Sequence, residues 1–101
     1  MNLDAFETSL ADPEPPPGVC PALQALWWDA RGNWKRAHAL AQVDDADPRC
    51  AWVHGYLHRK EGDLSNAAYW YRRAGRPTAS GSLSDEWRML ASALLTEARD
   101  S

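Results

Sequence analysis

Three histidines have the type and spacing best suited to coordination chemistry. His54 and His58 stand four residues apart, so on a helix they share one face, and His38 lies on the preceding predicted helix where it can meet the same seam. Three converging neutral imidazoles can ligate zinc or pass protons. The pattern His-x-x-x-His lacks the adjacent Glu of the zinc-protease signature, and Glu61 is the nearest carboxylate in sequence. Hydrogen-bonded core histidines are the competing reading, and an isolated pair favours it. No metal or other cofactor is therefore expected, with a His38/His54/His58 centre as the alternative. The chain holds no Gly-rich phosphate loop and no nucleophile elbow, so no catalytic residue is assigned. Cys20 and Cys50 lack C-x-x-C spacing and read as small buried hydrophobes rather than a disulfide or metal pair.

These residues must be positioned by a chain of 101 residues, enough for one domain. Six Trp, three Tyr and one Phe supply bulky surface that must be core, interface or both. No run of about 18 apolar residues could span a membrane, and the start Met-Asn-Leu-Asp-Ala-Phe-Glu has no basic, apolar leader pattern. A cytoplasmic location and no membrane partner are expected. The net charge of −3 is unevenly spread. Residues 49–76 set six cations against Glu61 and Asp63, a balance of +4 that leaves −7 elsewhere. Such a split suits an acidic partner, two copies meeting basic to acidic face, or simply a solvated surface.

Helical periodicity recurs along the chain. Leu3, Phe6 and Leu10 mark a short amphipathic helix, followed by the proline-rich spacer Asp12-Pro-Glu-Pro-Pro-Pro-Gly. Pro21 opens a helix continuing to Arg31, and a second is predicted over Trp34–Val43. A third runs over Arg49–Glu61; Gly62-Asp63 then turns the chain into a fourth over Leu64–Ala74, stopped by Gly75-Arg76-Pro77. Ser84 reads as the N-cap of a last helix whose apolar stripe is Trp87, Leu90, Ala91, Leu94, Leu95 and Ala98.

Gly32-Asn33-Trp34-Lys35-Arg36-Ala37 and Gly62-Asp63-Leu64-Ser65-Asn66-Ala67 align with an offset of about 30 residues. Gly permits the tight turn, and the small Ala lets two helices approach. With Gly55, Gly62-Asp63, Ala67, Tyr71, Ala74 and Pro77 in register, the chain resembles the tetratricopeptide repeat family and small bacterial proteins of that class. Residues 49–77 match well. Residues 20–48 keep Ala25, Gly32-Asn33, Ala37 and Pro48 but have Ala41 and Asp44 where an aromatic and a small residue belong.

The resemblance implies a single all-α domain over 1–101: an N-terminal helix and spacer (1–19), two helical hairpins (20–48 and 49–77) in a superhelical stack, and a capping helix (83–99). It also implies a non-catalytic protein-interaction scaffold. The groove-lining positions of the family fall here on Arg49, Trp52, Tyr56, Arg59 and Lys60, an aromatic floor flanked by cations that could hold an acidic peptide or partner surface. The alternative is that Trp52 and Tyr56 are packed away. Two repeats are fewer than the about three a solenoid normally needs, so either the terminal helices close the core or a homodimer does. Tyr69-Trp70-Tyr71-Arg72-Arg73 mixes aromatics with cations, but consecutive helical residues diverge by about 100°, and the acidic chain argues against a nucleic-acid partner.

Overall fold

The computed structural model describes residues 1–100 and their side chains through Glu97; the stripe position Ala98 lies outside the described side chains. The described residues form six α-helices and no strand: α1 Leu3–Thr8, extended by a 3-10 turn at Ser9–Ala11, then α2 Pro21–Ala30, α3 Trp34–Ala41, α4 Pro48–Glu61, α5 Leu64–Ala74 and α6 Leu83–Asp100. Local chemistry sets the boundaries. Pro21 and Pro48 occupy first-turn positions, where a missing amide costs nothing. Asn33, Asp47 and Asp63 accept hydrogen bonds from the first-turn amides of α3, α4 and α5. Gly62, at φ 91°, ends α4 in the left-handed region and permits the immediate reversal into α5. The α6 cap differs from the sequence expectation. The Ser82 hydroxyl, not that of Ser84, accepts from the Asp85 amide at 3.0 Å, because the helix begins at Leu83.

Helices α2 with α3 and α4 with α5 form closely packed pairs, and α6 lies against α1, α2 and α4. At the α4–α5 crossing, a Cβ on Gly55 would stand 3.1 Å from the Tyr71 ring, so the absence of a side chain there lets the helices meet. Phe6, Leu23, Leu26, Trp27, Val53, Leu57, Leu90 and Leu94 are buried together. Three indole N–H groups are satisfied across elements: Trp27 donates to Ser9 Oγ at 3.1 Å, Trp34 to the Leu57 carbonyl at 3.0 Å, and Trp87 to the Leu26 carbonyl at 2.9 Å. The radius of gyration, 12.4 Å, matches the about 13 Å of a closed globule of this length. The terminal helices thus close on the hairpins and bury a core within one chain.

Candidate metal centre

His54 and His58 lie on α4, and α3 brings His38 to them. Their ring centroids are 4.7–5.1 Å apart, and each ring offers a nitrogen within 4.8 Å of the others'. The Nε2 atoms of His54 and His38 are 3.0 Å apart, one ring donating to the other. Two indoles wall the cluster. Trp34, four residues before His38 on α3, stacks on it at 4.8 Å, and Trp70 of α5 stacks on His54 at 3.9 Å. His58 Nδ1 is 2.6 Å from Glu61 Oε1, one helical turn on. With that carboxylate accepting the Nδ1 proton, the His58 Nε2 lone pair is free for a ligand.

Burial sets the electrostatics. It pulls the His54 pKa down to about 4, with the neighbouring His38 and His58 charges adding to the effect. His38, less buried, is lowered by the same desolvation and by His58. The His38 and His54 rings are therefore neutral near pH 7, the state that ligates a metal. His54 Nδ1 is buried with no hydrogen-bond partner, an uncommon condition for a polar atom at 2 % residue exposure. Ligand bonds of about 2.0–2.1 Å place imidazole nitrogens about 3.3–3.5 Å apart around one ion, so the His38–His54 pair must open by only a few tenths of an ångström. The residues fit a nitrogen-liganded transition ion.

The basic–aromatic face of α4 is placed differently from an open groove. Trp52 and Tyr56 are 6 % and 2 % exposed. Tyr56 donates to Asp29 Oδ2 at 3.0 Å, and Lys60 Nζ meets Asp29 Oδ1 at 2.9 Å. Arg59 pairs with Glu86 at 2.7 Å and also reaches the Gly81 carbonyl, while Tyr71 donates to the other Glu86 oxygen. Burial, and then the carboxylate beside each, raise both tyrosine pKa values above the ordinary phenol range. Arg49 pairs with Asp47, and Arg76 with Glu97. Many cations of the basic stretch thus find carboxylates within their own chain. The structure brings Tyr56 and Lys60 together on Asp29, sends Arg59 to Glu86, and leaves Arg49 beside Trp52 in a separate cleft.

Sequence reasoning missed Asp29 and Glu86 as buried anchors, Asp63 as a carboxylate near His58, and the indole walls. The i, i+4 spacing of Trp34 and His38 and the short Gly62 turn between His58 and Asp63 were the local signals available; the others depend on how helices cross. Cys50 is buried, which pushes its thiol up to about 11, and Cys20 is half-buried; both thiols are free. No described helix is long and apolar enough to cross a membrane. Compared with known proteins, the chain matches no family model, no curated protein and no solved structure.

Proposed function

We propose that this chain is a small transition-metal-binding protein whose ligands are His38, His54 and His58. One observation carries the reading: three imidazoles from two helices offer nitrogens within 4.8 Å of one another, with Glu61 orienting the third. An ion bound there would act as a cross-link between α3 and α4. Clefts of about 250–510 Å³ among the described residues are lined by other side chains, while the three rings pack against one another and two indoles, an arrangement suited to holding an ion.

The test is titration of tag-free, metal-free protein with Zn²⁺, Ni²⁺ and Co²⁺, in a Cys20→Ser background so that the partly exposed thiol does not compete. We expect one ion per chain, quenched indole emission with Ni²⁺ or Co²⁺ because Trp34 and Trp70 lie against the ligand rings, and a higher Tm with the ion bound. His38→Ala, at the least buried ligand, should cost at least about 100-fold in affinity. Binding unchanged by that substitution would sink the reading.

A second reading retains the interaction scaffold and the tetratricopeptide-like stack. Its structural support is the Gly-turn hairpins, the Gly55–Tyr71 crossing, and an open cleft of about 510 Å³ beside α4. Trp52, stacked under the Arg76 guanidinium at 4.0 Å, lines that cleft with Pro77, Ala93 and the half-exposed Met89. Arg49 lies beyond the same indole. On this reading a short Glu/Leu peptide shifts tryptophan emission saturably, and Met89→Glu weakens it; a flat titration at millimolar peptide would exclude it.

A further inference from the structure

We propose that Glu61 and Asp63 form an outer capture position through which a divalent cation reaches the three imidazoles, an inference that rests on the metal-binding reading. His58 belongs to two ligand sets. One is the inner set with His38 and His54; the other joins it to Glu61 and Asp63, whose carboxylate oxygens lie within 4.8 Å of the His58 nitrogen and of each other. The inner set is half-buried to buried, whereas Glu61 and Asp63 are exposed. Within the inner set, His54 keeps a buried Nδ1 without a hydrogen-bond partner.

The approach to the inner set is asymmetric. Trp34 covers His38, held in place by its hydrogen bond to the Leu57 carbonyl. Trp70 covers His54, and the Arg73 guanidinium lies 5.3 Å from that indole, where it repels a cation. On the His58 side the sign is reversed. Two carboxylates flank the left-handed Gly62 turn. Arg59 and Lys60 of the same turn are drawn away by Glu86 and Asp29. Glu61 uses Oε1 for His58, leaving Oε2 for an ion. Asp63 caps α5 through Oδ1, leaving Oδ2. Oxygen ligands take up hydrated divalent ions readily but hold borderline metals less well than imidazole does, so an ion captured by the two carboxylates moves inward by exchanging carboxylate oxygen for imidazole nitrogen, with the adjacent His58 as the nearest ring.

Stopped-flow mixing with Ni²⁺, read by indole quenching, tests this in wild type and in Asp63→Asn, which leaves the His58–Glu61 pair in place. The substitution spares local structure, because Asn caps a helix as well as Asp does. The association rate should fall at least about threefold, and the slowing of wild-type association by salt should weaken, with dissociation changed by less than about twofold. An association rate and a salt dependence equal to those of wild type would overturn the proposal. Wild-type protein that neither quenches nor retains nickel would overturn the metal reading itself, before any variant is compared.

Discussion

Glu86→Ala is expected to destabilise the fold by about 3–5 kcal/mol, the range for stranding one partner of a buried ion pair. Glu86 is 4 % exposed and serves two groups, the Arg59 guanidinium and the Tyr71 hydroxyl. Its removal leaves a largely buried cation and a buried donor unpaired, and it detaches the first turn of α6 from α4. Against the about 5–15 kcal/mol typical of whole domains, this is a large share. Urea denaturation should show a midpoint lowered well beyond error at an unchanged slope. Glu86→Gln, which keeps an acceptor of the same shape, should recover part of the loss. A Glu86→Ala midpoint within error of wild type would show that α6 is held by its apolar stripe alone.

Acid is expected to destabilise the metal-free protein over the window in which unfolded histidine takes up a proton and folded His54 does not. The folded pKa of His54 is depressed from 6.5 to about 4, so below pH 6.5 the unfolded chain binds more protons and stability falls as pH falls. The loss is complete near pH 4 and amounts to about 3 kcal/mol for His54, with His38 contributing in the same direction. Around His54 stand the His38 and His58 rings and the Trp70 indole, with Glu61 beyond His58. Carboxylates titrate near pH 4, so the limb between pH 7 and 5 isolates the imidazoles. Chemical denaturation across that limb should show a steady decline, flattened in His54→Phe. A midpoint constant from pH 7 to pH 5 would show that His54 charges as freely in the folded state as in the unfolded.

The helices were legible in the sequence because their causes are local. Proline at a first turn, Asp or Asn before an apolar run, and glycine at a reversal act within a few residues, so five of the six helices fall within about two residues of expectation. The first is shorter than its apolar spacing implied, passing into a 3-10 turn after Thr8. The His54–His58 pair was equally visible, since a four-residue interval on one helix fixes a shared face. The convergence of His38 was only an inference about register. Its confirmation needed the α3–α4 packing that brings the two Nε2 atoms to 3.0 Å.

Tertiary structure alone decided the fate of the basic–aromatic face of α4. Charge and spacing marked Arg49, Trp52, Tyr56, Arg59 and Lys60 as a surface, but no local rule states that Asp29 and Glu86, 31 residues before Lys60 and 27 after Arg59, would fold onto it. Trp87 likewise reaches a carbonyl 61 residues away. Sequence determined which segments are helical and which faces are apolar, because those follow from backbone geometry and side-chain type over a single turn. Which apolar faces meet, and hence which charges are neutralised and which imidazoles converge, depends on burying every stripe at once in one compact arrangement, a condition on the whole chain that no window of it contains.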